Sequence, residues 1–108
     1  MRAGKLRNMI RVQRASMGVN DFGTPSPVWS DHLKLRAEVV ERSASEFLTG
    51  EGAVDEARIV FRTRFVEGVT RADRVVFDGV NWNIRETAEV GRREGLELRC
   101  EADREDGG

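Results

Sequence analysis

Three stretches of strict two-residue alternation constrain this chain more than any other feature. In HLKLRAEVV, Leu33, Leu35, Ala37 and Val39 share one parity, with Lys34, Arg36 and Glu38 on the other. In ARIVFRTRFV, Ile59, Phe61, Thr63 and Phe65 alternate with Val60, Arg62 and Arg64, and in GLELRC, Leu96, Leu98 and Cys100 alternate with Glu97 and Arg99. A strand with one buried and one wet face has this period, because successive side chains point to opposite sides of the sheet. The opening MRAGKLRNMIRVQR fits too, since Ile10 and Val12 alternate with Arg11 and Gln13. Its five basic residues therefore include the solvent side of a first strand.

Turn chemistry separates these runs. DFGTPSP (21–27) is a Gly/Pro loop between the first two strands, Asp78-Gly79 is a short hairpin turn, and GRREG (91–95) leads into the last strand. Five to six closely spaced strands with no long helical period predict an all-β fold, a small antiparallel barrel or sandwich. One segment lacks the period. ERSASEFLTGEGAVDEA (41–57) reads as a long loop between the second and third strands. Ser43 and Glu46 match a capping box, so a single helical turn is expected there before Gly50 and Gly52 stop it. Loops of this length within a small β domain are uncommon and tend to be functional. Phe47 and Leu48 have no place in an alternating core, so they serve either as a lid over the barrel end or at an interface.

At 108 residues the chain suffices for one core. The expected organisation is a single barrel domain over 1–102 with the 43–57 loop inserted, followed by a flexible acidic tail, 103–108. Eighteen Lys and Arg nearly balance nineteen Asp and Glu, which argues against a general polyanion binder. No stretch reaches the roughly 18 apolar residues of a membrane span or the apolar core of a signal peptide. A single cysteine leaves no internal disulfide. The expectation is a soluble intracellular product with no membrane partner.

Catalytic chemistry has little support. His32 stands alone, without a second ligand type nearby, and Cys100 falls on the inward parity of its strand. GEGAVD lacks the third glycine and the strand–turn–helix setting of a phosphate cradle. No enzyme activity, metal or cofactor is expected. RIVFRTRF superficially resembles a basic–aromatic platform, but Phe61 and Phe65 have odd parity and Arg58, Arg62 and Arg64 even. Stacking and phosphate contact would need both on one face. The three arginines remain a candidate basic surface for non-specific contact with a nucleic-acid backbone.

The order of short features along the chain resembles the head–tail joining proteins (head closure, or stopper) of long-tailed bacteriophages. These features are GKLRNMIRVQR, Asp21-Phe22-Gly23 leading to Trp29, LRAEV, SASEF, RIVFRTRF, DRVVFDG, NWNI and LELRC, covering about residues 3–100. The chain departs from the family pattern at Asn8 and Met9, where a histidine and a second basic residue are frequent, and at Ser45, often glycine. The resemblance implies a non-enzymatic virion protein made in the bacterial cytoplasm, monomeric when free. It implies assembly as a ring, usually of twelve copies, in the neck of the particle. That ring lies below the portal and its adaptor, retains the packaged double-stranded DNA and offers a docking surface to the tail. It further implies that the loop between the second and third strands reaches toward the channel. The candidate channel and interface residues are accordingly Glu46, Phe47, Leu48, Glu51, Asp55 and Glu56. The alternative is a small-barrel nucleic-acid- or protein-binding module of a bacterial host, which tight, steeply salt-dependent binding of duplex DNA by the monomer would identify.

Overall fold

Ile10, Val12, Ile59, Phe61, Leu98 and Val75 have no exposed surface, and the strands that carry them close on one another. The computed structural model describes residues 5–49 and 52–102, with 44–49 and 52–56 described through their backbone pairing. Six strands follow in order: β1 (Asn8–Val19), β2 (Pro25–Thr49), β3 (Gly52–Arg64), β4 (Arg74–Phe77), β5 (Val80–Val90) and β6 (Gly95–Ala102). All neighbouring pairs are antiparallel, and the strand order β1-β2-β3-β6-β5-β4 closes where β4 meets β1. The all-β expectation of five to six strands holds.

The predicted inward parity of β3 and β6 is the observed one. Ile59, Phe61 and Thr63 from β3 meet Leu96, Leu98 and Cys100 from β6, directly paired across the ladder. Trp82 and Ile84 of β5, Val75 of β4, Ala37 of β2 and Ile10 of β1 complete the core. Phe77 packs edge-on against Phe61, with ring centroids 5.3 Å apart and planes at 79°. This is a favoured arrangement of ring quadrupoles.

The long-loop expectation is corrected. β2 continues to Thr49 and β3 starts at Gly52, and their backbones pair without interruption from Ser43↔Arg58 to Thr49↔Gly52. No helical turn follows Ser43. The two arms satisfy each other's N–H and C=O groups, which holds the segment extended through its backbone. A second correction concerns 21–27. The reversal is confined to Asn20–Thr24, and Pro25 and Pro27 already belong to β2. There β2 pairs with β1 alone, so prolines that lack an N–H fit on its open edge.

Three extra residues bend the sheet. His32 is unpaired between Val12↔Leu33 and Gln13↔Asp31, Val40 between Val39↔Phe61 and Glu41↔Val60, and Arg85 between Ile84↔Cys100 and Glu86↔Arg99. Such bulges increase local twist and help a sheet curl. The Asp78-Gly79 turn is as the sequence predicts, with both residues left-handed at φ 55° and 76°.

Candidate functional site

β1 touches β4 only over Arg11–Gln13, and β3 meets β6 only from Arg58 onward. Beyond those points each pair of strands continues as a two-stranded ribbon. One ribbon comprises 14–19 and 25–30, joined by the Asn20–Thr24 turn. The other comprises the continuations of β2 and β3 past Arg42 and Arg58.

The first ribbon has two unlike faces. Ala15↔Trp29, Met17↔Pro27 and Val19↔Pro25 stack as directly opposed pairs, making one face apolar, while Arg14↔Ser30, Ser16↔Val28 and Gly18↔Ser26 occupy the other. Met17 is 76% exposed, Val19 69% and Phe22, at the tip, 92%. The tip is well formed. The Asn20 side-chain oxygen accepts the Phe22 and Thr24 N–H groups at 2.9 and 3.0 Å. Gly23 takes the left-handed conformation there, at φ 77°. At the ribbon's base Trp29 carries the Arg74 guanidinium 4.3 Å above its ring.

A polar junction anchors that base. Arg14 donates from Nε and Nη2 to the two Asp73 oxygens at 2.9 and 3.0 Å, and from Nη2 to the Gly68 carbonyl at 2.6 Å. The Thr70 N–H also donates to Asp73, at 2.9 Å. Burial works against the Asp73 carboxylate, yet the Arg14 and Thr70 bonds outweigh it and hold its pKa below the ordinary value. His32 Nε2 lies 3.0 Å from the same Gly68 carbonyl, which gives this bulged residue a positioning contact.

The candidate channel residues lie on the second ribbon. Glu46, Phe47 and Leu48 stand in register with Asp55, Val54 and Ala53, and Glu56 with Ser45. Glu51 is outside the described residues, as are 103–108. The structure thus brings five of the six candidates to one arm, on its backbone ladder.

The three candidate basic residues face outward, as parity required, but two of them meet acids on β6. Arg62 donates to Glu97 at 2.9 Å, and Arg58 lies 3.6 Å from Glu101. Arg99 bridges Glu97 and Glu86 at 3.1 and 3.0 Å, and Arg85 shares Glu101 at 3.5 Å. The bond from Arg62, then that from Arg99, keeps the Glu97 carboxyl below its ordinary pKa against the opposing effect of burial. Arg58, Arg85, Glu86, Arg99 and Glu101, with Glu41, line an open cleft of about 400 Å³ whose wall carries both signs. A phosphate backbone would find no uniformly positive stripe here. Arg64 is exposed at the end of β3.

Arg64 borders a different cleft, of about 370 Å³, at the end of the barrel. At residues 34–36 β2 still pairs only with β1, its first partner on β3 being Thr63 opposite Ala37. The splay between β2 and the chain leaving β3 exposes parts of Leu35, Phe65 and Val66, with Lys34, Arg36 and Arg64 around them. Arg93 covers the Phe65 ring at 5.2 Å.

Cys100 is buried and gives its S–H to the Leu98 carbonyl at 3.7 Å, and desolvation pushes its pKa up to about 12. A thiol so placed is not a nucleophile at neutral pH. Among the described residues no three His, Cys, Asp or Glu side chains gather as metal ligands would. Sequence reasoning missed the exposed apolar ribbon face and the Arg14–Asp73 junction. The shared parity of Ala15, Met17 and Val19, on β1 toward the turn, was the available signal for the first.

Solved structures share this fold. A chain in the virion of a native gene transfer agent particle aligns with a TM-score of 0.66 at 18% identity, over 89% of this chain and 91% of that one. Protein SF1141 from Shigella flexneri 2a gives 0.63 at 20% identity, over 97% and 99%. Protein xkdH of the phage-like element PBSX from Bacillus subtilis gives 0.56 at 10%, over 91% and 95%. No curated protein matches the sequence. The profile of one family, described as phage head completion protein, matches residues 1–103, and the chain belongs to that family.

Proposed function

We propose that this protein is a structural subunit of the phage neck. Copies form a ring below the portal and its adaptor, close the DNA-filled head and present a docking surface to the tail. The observation that carries this reading is the division of labour in the fold, a small closed barrel from which two long ribbons project. Among the described residues the buried core cluster comes from the barrel strands, which leaves the ribbons available for contacts between subunits and along the channel.

The charge distribution suits such a position. Arg58, Arg62, Arg85 and Arg99 stand among Glu41, Glu86, Glu97 and Glu101, so the barrel wall carries little net attraction for phosphates. The second ribbon bears Glu46, Asp55 and Glu56. A wall of that composition repels DNA phosphates and lets the duplex pass without adhering.

The test is a phage or particle lacking this gene product. Heads should fill with DNA but lose nuclease protection and fail to join tails, and the purified protein should restore both. Normal tailed, nuclease-resistant particles without the protein would overturn the reading. A salt titration with duplex DNA addresses the host-module alternative, and weak binding by the monomer at moderate salt is expected.

A further inference from the structure

We propose that the Asp21–Phe22 tip of the first ribbon docks into the barrel-end cleft of a second copy of this chain, so that identical contacts repeat head to tail. The inference rests on the ring reading above and names the surfaces that would build it.

Phe22 is 92% exposed at the end of a hydrogen-bonded turn, held out rather than loose. Together with Met17 and Val19 it displays about 450 Å² of apolar surface, given 150–250 Å² for an aromatic side chain. That lies in the range of about 300–600 Å² for the largest apolar patch on a single chain, which is often a functional surface. The arm does not fold back on its own body. The radius of gyration is 15.5 Å, against about 13 Å for a compact domain of this length.

The cleft at the barrel end has matching properties. Leu35, Val66 and the Phe65 ring, which Arg93 covers on one face, supply a largely apolar floor, with buried Leu6 beneath. Its volume of about 370 Å³ falls within the roughly 300–1,000 Å³ of clefts that enclose small ligands. Lys34 and Arg64 stand at its edge, and the tip brings a carboxylate, Asp21, beside the ring that would enter. An apolar group flanked by an acid thus meets an apolar floor flanked by bases.

The two surfaces are different patches of one chain. A contact between unlike patches is heterologous, and where its rotation closes it generates a ring rather than an open filament. The area is also informative. About 450 Å² is little more than half of the ~800 Å² per partner in a standard stable interface. One such contact is therefore weak, and closure of a ring, where each subunit gains two, is what makes it persist. This accords with a subunit that stays monomeric at low concentration.

The test is cross-linking of a variant carrying Thr24→Cys at the tip and Arg36→Cys at the cleft, with a short bis-maleimide. It is applied to the isolated protein at high concentration and to assembled particles. Buried Cys100 stays silent. A ladder of dimer, trimer and higher species is expected in either sample, with each single variant giving none. Phe22→Ala should weaken ladder formation about tenfold or more, as loss of a buried phenyl does, while leaving the thermal midpoint unchanged. Asp21→Lys should abolish the ladder, and adding Arg64→Asp should restore it. Monomer alone in both samples, a dimer and nothing larger, or cross-links only to another particle protein would overturn the contact. Electron micrographs of the same particles separate the two readings. Rings present but uncross-linked refute this contact and leave the neck assignment standing, whereas a neck without the protein refutes the assignment itself.

Discussion

Replacing Phe61 by alanine should remove a large share of the barrel's stability. Phe61 is fully buried on β3, opposite Leu98 and edge-on to Phe77 at 5.3 Å. Truncation takes about 150 Å² of ring surface out of contact, near 4 kcal/mol at about 25 cal/mol per Å². Measured Phe-to-Ala core changes span about 3–5 kcal/mol. Against a typical total of about 5–15 kcal/mol the variant is close to unfolding. Its thermal midpoint should fall by roughly 15–30 °C, at about 4–8 °C per kcal/mol for a domain of this size. Urea unfolding followed by far-ultraviolet circular dichroism is the assay, and the midpoint should drop with little change in slope. A double-mutant cycle with Phe77→Ala isolates the ring pair, with an expected coupling of about 0.5–1.5 kcal/mol. A loss below about 1 kcal/mol for Phe61→Ala is what a surface site gives. That result would refute the inward parity assigned to β3, and with it the barrel register.

Three further outcomes are expected. Cys100 should resist thiol reagents in the native state at pH 8 and react at once in denaturant. Its raised pKa means that the folded thiol keeps its proton while the unfolded one loses it, so this contribution is complete below about pH 9 and declines as pH rises toward about 12. Asp73→Asn should destabilise the protein at neutral pH. Because the Asp73 pKa is lowered from 3.8, its contribution is present above that value and lost as pH falls below it. The gap between variant and wild type in urea midpoints should therefore narrow at pH 3, and an unchanged gap would show that the charge plays no part. Excising 45–56 and closing the arms with Asn-Gly should leave the barrel folded with a near-native thermal midpoint, yet yield particles that leak DNA or lack tails. Unfolding of this variant would place the second ribbon among the determinants of the core.

Alternation was legible wherever a core imposed it. Ile59, Phe61, Thr63, Leu96, Leu98 and Cys100 announced their burial because, Val60 apart, their outward neighbours Arg58, Arg62, Arg64, Glu97 and Arg99 are charged. The same logic failed at 43–57 for a physical reason. A ribbon whose strands pair only with each other is held extended by its backbone ladder, which needs no alternation in sequence, and Ser43 and Glu46 mimicked a helix cap in extended backbone. Prolines at 25 and 27 misled likewise, since an open strand edge tolerates what a central strand does not. Bulges at His32 and Val40 are nearly silent in sequence, although they reset the parity of β2 on either side. Of the candidate site residues, position on a projecting element was readable for Glu46, Phe47, Leu48, Asp55 and Glu56. The acids that engage Arg58 and Arg62 lie about forty positions further along β6 and emerge only from the strand order. Phe22, with no periodic partner, gave no warning beyond its place between Asp21 and Gly23.

β2 is 25 residues long, about 80 Å if straight at roughly 3.3 Å per residue. The longest dimension of the molecule is 45 Å. The strand must therefore arch across the barrel, and its bulges at His32 and Val40 are where the arch turns. A single unbroken backbone consequently runs through the first ribbon, the barrel wall and the second ribbon. Surface connections with few contacts ordinarily absorb movement between the parts they join, and this path has none. The two arms are thus the two ends of one strand, whose covalent path is unbroken and whose ladder is interrupted only at the two bulges.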